Sequence, residues 1–246
     1  MATSTSNPVA LVTGAGSGIG EKTAIKLADA GFHVICTGRR VEKLQHVVEE
    51  IGEGAIAVQL DVTDSNSVEN LLDGLPSKWR NIEVLVNCAG HDVGGRSRFD
   101  AGKLENYIDI ITTNLIGLMR ITHAVVAGMV EQSSGHIVNI GSLFGVRSVP
   151  GESAYCASKY GVHGFTETLR MDFADTPIRV TEILPGMVRT DFAATRFSDK
   201  GKADEFYDEF GDWLTPADIA NAVVYAIQQP PNVVVAQMTI VTKNQV

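Results

Sequence analysis

Short apolar runs and amphipathic stretches alternate along this chain almost without interruption. Residues 8–12, 32–37, 55–60, 82–87, 135–141, 178–184 and 233–240 are apolar runs of strand length, bounded by glycine, proline or polar residues. Stretches with helical spacing lie between them. After the first run, Gly20, Ala24, Leu27 and Ala28 fall at i, i+4, i+7 and i+8, one face of a helix, and Gly31 stops it. Residues 41–51 are amphipathic, and 65–75 read as a helix with Asp64 as its candidate cap. Residues 103–130 and 152–174 are longer helical stretches. Residues 215–228 begin Thr215-Pro216, a cap followed by proline at the first helical position. Residues 187–211 are polar, charged and aromatic with no clean period.

The strands are near-continuous apolar runs, the pattern of strands covered on both faces. Strands alternating with helices imply right-handed crossovers. The expected fold class is therefore α/β, a single doubly wound, seven-stranded, mostly parallel sheet with helices on both faces. With no repeat, low-complexity segment or linker, residues 1–246 read as one domain, residues 1–7 being a flexible tail.

Composition narrows the partners. The net charge is −9 and lysine and arginine do not cluster. Nucleic acid is not expected as a partner, because phosphate neutralisation needs a basic footprint. An anionic membrane surface is disfavoured for the same reason. No apolar run approaches ~18 residues, so no membrane span is expected. The first residues lack a basic region followed by a long apolar one, so they do not read as a secretion signal. Cys36, Cys88 and Cys156 have no metal-ligand spacing and sit among apolar or small residues. They read as buried free thiols, which fits a reducing, cytoplasmic setting. No metal is expected, and His123, His136 and His163 are assigned no role.

Three segments carry chemistry. Thr13-Gly14-Ala15-Gly16-Ser17-Gly18-Ile19-Gly20 follows the first strand and opens a helix. Glycines there allow a tight turn and let a pyrophosphate reach the free N–H groups of the helix start. In this strand–turn–helix setting the loop reads as a dinucleotide site. The second strand ends in Thr37-Gly38-Arg39-Arg40. A site selective for NAD places an acid here for the ribose 2′-hydroxyl. Two guanidiniums suit a 2′-phosphate instead, which favours NADP(H), unless one or both are solvated surface residues. Third, Tyr155 and Lys159 lie one turn apart on one helix face. A cation beside a phenol favours the phenolate. Lowering a tyrosine from ~10 to ~7 takes about 4 kcal/mol, so a second positive charge is expected nearby. Alone, such a pair is a weak signal and could be a half-exposed tyrosine with a solvated lysine; the glycine pattern at the start of the chain changes that. Ser142, at the end of an apolar run, could donate a hydrogen bond to a substrate oxygen.

Taken together, these segments resemble the short-chain dehydrogenase/reductase family, from Val9 to about Ile240. Thr13-Gly14-x-x-x-Gly18-x-Gly20 matches its cofactor loop, and Leu60-Asp61-Val62 its adenine-contacting turn. Asn87-Cys88-Ala89-Gly90 matches its Asn-Asn-Ala-Gly segment, with cysteine in the second position. Asn114, Ser142, Tyr155 and Lys159 match its catalytic residues, and Pro185-Gly186-Met187-Val188-Arg189-Thr190 its nicotinamide-carboxamide loop.

The resemblance implies a Rossmann-type oxidoreductase acting on a small carbonyl or alcohol. Gly14, Ser17, Gly18, Ile19, Gly20, Arg39, Arg40, Asp61, Val62, Asn87, Ala89, Gly90, Tyr155, Lys159, Pro185, Gly186, Val188 and Thr190 would bind NADP(H). Tyr155 would exchange the proton, Lys159 would lower its pKa, and Asn114 would hold a water linking Lys159 to solvent. A homotetramer, formed through the helix carrying Tyr155 and the last helix and strand, is also implied. Thr37-Gly38-Arg39-Arg40, Leu75-Pro76-Ser77-x-Trp79, Gly128-Met129-Val130-Glu131, Thr195-Arg196-Phe197 and the tail at Val241-Thr242 most resemble the NADP-dependent 3-hydroxy acid branch. That branch handles small polar β-hydroxy acids and related anionic alcohols or aldehydes.

Substrate follows from pocket lining, expected from residues 91–98, 143–151 and 187–211, the last being the substrate loop. Among their arginines, Arg147 and Arg196 are the candidates for an anionic substrate group; each could also be a surface residue. His91 could touch substrate or pack its loop. Phe206, Tyr207, Phe210 and Trp213 could form a lid, an interface or a core patch. A lid would admit a bulkier apolar ketone or cyclic alcohol. A non-catalytic nucleotide sensor remains the alternative of another class, against which stand all four catalytic positions.

Overall fold

The computed structural model describes residues 7–245. Apart from Asn7, the expected tail lies outside them. Strands β1 (Val9–Thr13), β2 (His33–Gly38), β3 (Ala55–Gln59), β4 (Ile82–Asn87), β5 (Gly135–Ile140), β6 (Ile178–Pro185) and β7 (Gln237–Ile240) form one sheet. Its order is β3-β2-β1-β4-β5-β6-β7, and every neighbouring pair is parallel. The strand order reverses between β1 and β4, leaving a crevice at their carboxyl ends.

Successive strand residues enter opposite cores. Ala10, Val12, Val34, Val86 and Val138 pack with Ala24 and Leu27 of α1 (Gly18–Asp29), Leu44 of α2 (Val41–Ile51) and Val223 of α10 (Pro216–Ile227). Leu11, Ile35, Leu85 and Ile137 pack on the other face. There they meet Ile121 and Val125 of α6 (Leu118–Glu131) and Leu169 of α7 (Ser153–Asp172). This double covering is why the strands lack polar alternation. Thr215 caps α10 as expected: its side chain accepts from Asp218 N, and Asp218 Oδ2 accepts from Thr215 N at 2.7 Å.

Several boundaries differ from the sequence pattern. The expected helix at 65–75 divides into α3 (Ser65–Glu69) and α4 (Leu71–Gly74) around Asn70, whose amide donates to Asn66 O at 2.7 Å. The last strand begins at Gln237, later than the apolar run starting at Val233. Residues 233 and 235 are held by side chains of β6 instead: Arg179 donates to Val233 O and Thr181 to Val235 O. Residues 187–211 contain α8 (Phe192–Phe197) and α9 (Lys200–Phe210). The α9 helix buries only Ala203 and Tyr207, too sparse a stripe to register as a helical period.

The stretch at 103–130 is α5 (Leu104–Ile111), a wider π-helical turn (Thr112–Gly117) and α6 in continuous succession. At 28 residues, with a window of mean hydropathy 1.4, it is long and apolar enough to cross a membrane by length and composition alone. Asp109, Asn114 and Arg120 interrupt its apolar runs, which is why no single run reached that length. Its inner face, with Ile121, Val125 and Met129, packs in the sheet core. At Gly117 a Cβ would lie 2.6 Å from Val62 Cγ2, so the wide turn presses directly on the loop after β3.

Candidate active site

The crevice between β1 and β4 deepens into a cavity of about 490 Å³. One end is built from backbone. Gly14 (φ 68°) and Gly18 (φ 57°) adopt left-handed conformations that favour glycine. A Cβ on Gly20 would lie 2.3 Å from Gly14 O, so the loop closes only without one. Ser17 makes no side-chain cap to α1, and its hydroxyl instead accepts from Arg40 Nη2 at 3.2 Å. The first N–H groups of α1 thus remain available to an anion. Gly14, Ser17, Gly18, Ile19, Gly20, Arg39, Arg40, Asp61 and Val62 all line this end. Both arginines are exposed. Burial pushes Asp61 upward, yet hydrogen bonds from Thr63 and the charge of Arg39 hold it below the usual carboxylate range. A glycine cradle, an open helix start and two guanidiniums without an acid at the end of β2 fit a dinucleotide bearing a 2′-phosphate.

Across the crevice, Thr13 Oγ1 accepts from Cys88 N and Ala89 N at 3.0 and 3.1 Å, tying the loop after β4 to β1. Ala89 and Gly90 line the cavity, as do Pro185, Gly186, Val188 and Thr190. Asn87 does not. It is buried beneath the floor, donating to Thr122 and Asn139 at 2.9 Å each, because its side chain points to the face covered by α6 and α7.

Ser142, Tyr155 and Lys159 converge on the cavity wall. Ser142 Oγ accepts from Phe144 N at 3.1 Å, which fixes the turn after β5. Tyr155 and Lys159 occupy the first turns of α7. The Lys159 ammonium donates to Ile140 O at 2.8 Å and lies 5.8 Å from the centroid of the Tyr155 ring. The protein alone does not acidify the phenol. Burial, the largest influence, pushes Tyr155 well above its ordinary value, and Asp92 and Glu152 add to this; a hydrogen bond from Ser142 and the charge of Arg196 pull the other way. Burial also lowers Lys159 to about 8.

Asn114 sits in the π turn, buried and outside the cavity lining. Its Oδ1 accepts from His91 N at 2.9 Å, and its Nδ2 donates to His91 O at 2.9 Å and to Ser158 Oγ at 3.1 Å. Its side chain thus clamps the backbone after Gly90. His91 lines the cavity, with Nε2 3.1 Å from Thr113 Oγ1 and 3.3 Å from Asp109 Oδ2.

The two candidate arginines separate. Arg147 is exposed and outside the cavity lining. The turn at Leu143–Gly145 presses against α7, where a Cβ on Gly145 would be 2.8 Å from Lys159 O, and the chain beyond it runs outward. Arg196, on α8, lines the cavity and is buried. Its Nε bonds Asp92 Oδ2 at 2.7 Å, and Nη2 lies 3.6 Å from Glu152 Oε1. Arg96 donates to the same Glu152 oxygen at 2.7 Å. Burial pushes Asp92 up to about 7 despite Arg196, and Glu152 pushes the same way. Sequence reading missed this quartet, since its members come from the loop after β4, the start of α7 and helix α8, with no shared spacing. The aromatic patch also divides. Phe206 and Tyr207 line the cavity with Phe144 and Phe192, Phe210 is exposed, and Trp213 packs in a small core with Tyr207.

The family described as short chain dehydrogenase matches residues 8–201. An NADP-dependent 3-hydroxy acid dehydrogenase of Salmonella typhi is 42% identical over 227 residues, 92% of this chain and 91% of that protein. Sulfoacetaldehyde reductase 2 of Chromohalobacter salexigens is 36% identical over 96% of this chain and 95% of its own. A closed form of serine dehydrogenase complexed with NADP+ superposes with a TM-score of 0.91 at 39% identity, covering 94% of both chains.

Proposed function

The chain belongs to the short-chain dehydrogenase family, and from that membership we infer that it is an NADP(H)-dependent oxidoreductase of small polar or anionic hydroxy and carbonyl compounds. Substrates of the 3-hydroxy acid or sulfonated aldehyde type fit best. The observation that carries this reading is the convergence of Ser142, Tyr155 and Lys159 on a cavity whose far end holds Arg39 and Arg40.

When bound, NADP(H) supplies or accepts the hydride and, oxidised, adds the positive charge that Tyr155 lacks. Ser142 and Tyr155 hold the substrate oxygen. In reduction the Tyr155 hydroxyl gives its proton to that oxygen; in oxidation the phenolate takes it back. Lys159 stabilises the phenolate and orients the nicotinamide ribose. Asn114 fixes the His91 backbone beside this group and holds the water that links Lys159 to solvent. Arg196 receives the carboxylate or sulfonate. The protein works in the cytoplasm, which its three free thiols favour. It forms a homotetramer through α7 and through α10 with β7, supported by exposed apolar residues such as Tyr160, Met171 and Tyr225.

Phe144, Phe192 and Phe206 around the cavity favour a second reading, a bulkier apolar ketone. A substrate panel with NADPH and NADH decides between them. Small β-hydroxy acids and sulfonated aldehydes turning over with NADP(H) is the expected result. Preference for apolar ketones would transfer the assignment to the second reading, and no turnover of any carbonyl or alcohol would end the enzyme reading. Replacing Arg196 with alanine should raise the KM of an anionic substrate by about ten- to a hundredfold, the worth of one charge-assisted hydrogen bond, and that of a neutral one less. Equal effects on both would leave Arg196 only a loop-closing role through Asp92 and Glu152.

A further inference from the structure

A polar row crosses the apolar sheet beneath Lys159. Asn87, Asn139, Glu182 and Gln237 are register partners on β4, β5, β6 and β7. The row lies on the face covered by α6 and α7: Asn87 bonds Thr122, Asn139 bonds Thr166, and Glu182 Oε2 lies 2.7 Å from His163 Nδ1. Polar groups in a doubly covered sheet are costly unless they are partnered. Glu182 is the acid of the row, and its side chain is 1% exposed. Its Oε1 is buried and has no hydrogen-bond partner among the described residues.

That oxygen faces the catalytic wall. A Cβ on Gly141 would lie 2.6 Å from Glu182 Oε1. The Lys159 ammonium donates to the carbonyl of Ile140, the preceding residue, at 2.8 Å. Carboxylate and ammonium therefore flank the same short stretch of backbone, immediately before Ser142. His163 lies one turn beyond Lys159 on α7, so one helix face carries both the lysine and the residue that fixes the carboxylate.

We propose that Glu182, held by His163, is a positioning residue for the reaction, its buried carboxylate being the counter-charge that keeps Lys159 an ammonium beside Tyr155. Burial draws Lys159 down to about 8, and Cys88 and Glu182 are the groups that oppose this. Burial pushes the Cys88 thiol up to about 12, so it is neutral where the lysine titrates, and Glu182 supplies the working charge. Tyr155 also faces Lys159 from its own helix, and β5 presents the Ile140 carbonyl to it. Facing Glu182 are His163 from α7 and the neutral Gln237 from β7. Asp92, Glu152 and Arg196 act on Tyr155. As pH rises through the lysine's pKa the ammonium is lost, and with it the support for the phenolate. Without Glu182 that loss begins at lower pH.

The inference rests on Lys159 serving Tyr155. Its test is the pH profile of kcat for alcohol oxidation at saturating NADP+, comparing the parent enzyme with Glu182→Gln, Glu182→Asp and His163→Arg. In Glu182→Gln the high-pH limb should move down by about one unit, as expected for removing one nearby charge, while Glu182→Asp should restore it. His163→Arg, at a side chain that is 31% exposed, sets a fixed cation on the carboxylate and should move the limb the same way by less. An unmoved limb in Glu182→Gln or, should that variant not fold, in His163→Arg would make Glu182 merely structural. Full turnover in Tyr155→Phe would instead remove the underlying catalytic reading, so the two failures are distinguishable.

Discussion

Replacing Tyr155 with phenylalanine is expected to lower kcat by at least about a thousandfold, within the range lost when a positioned acid–base group is removed. The substitution deletes a single oxygen. The ring packs edge-on against Phe144 and Phe192, with centroids 6.3 and 5.8 Å away. Phenylalanine keeps both contacts, so the local structure should survive. Burying a phenol disfavours its charged form, and burial is the largest influence on Tyr155. With NADP+ bound to offset that burial, the parent enzyme should oxidise alcohols faster as pH rises until Lys159 begins to lose its proton, and reduce carbonyls best at lower pH, where the phenol keeps its proton. NADPH affinity, measured by fluorescence titration, should stay within about threefold, less than one lost hydrogen bond. Turnover within tenfold of the parent would refute the assigned role.

Arg39→Ala combined with Arg40→Ala should reduce kcat/KM for NADPH by about a hundredfold while changing that for NADH little. Each guanidinium contact to a phosphate is worth about 1.5–3 kcal/mol, and exposure reduces this. Both side chains are exposed, so added salt should weaken NADPH binding in the parent more than in the double variant. Arg40 also donates to Ser17 on the glycine loop, which lets it order that loop as well as contact phosphate. An unchanged coenzyme preference would move the 2′-phosphate contact elsewhere in the cavity.

Local patterns made much of the site legible. The glycine loop, the arginine pair and the Tyr155/Lys159 pair each lie within one segment, and all line the cavity. Asn114 and Asn87 were legible as motif members, yet both turn away from the cavity to hold its backbone. Arg147 and Arg196 looked equivalent in sequence; the turn after Ser142 sends one outward, while α8 carries the other in.

By itself, the sequence determined the alternation of elements, the parallel sheet and the location of the chemistry, because these follow from spacings of a few residues. Only the tertiary structure decided which charges meet. Arg196 finds Asp92 across 104 positions, Arg96 finds Glu152 across 56, and Glu182 finds His163 across 19. Periodicity records which face a residue occupies on its own element; it carries no information about which distant loop closes over that face. Burial, which sets the charge state of Tyr155, Lys159 and Asp92, exists only once those loops have closed.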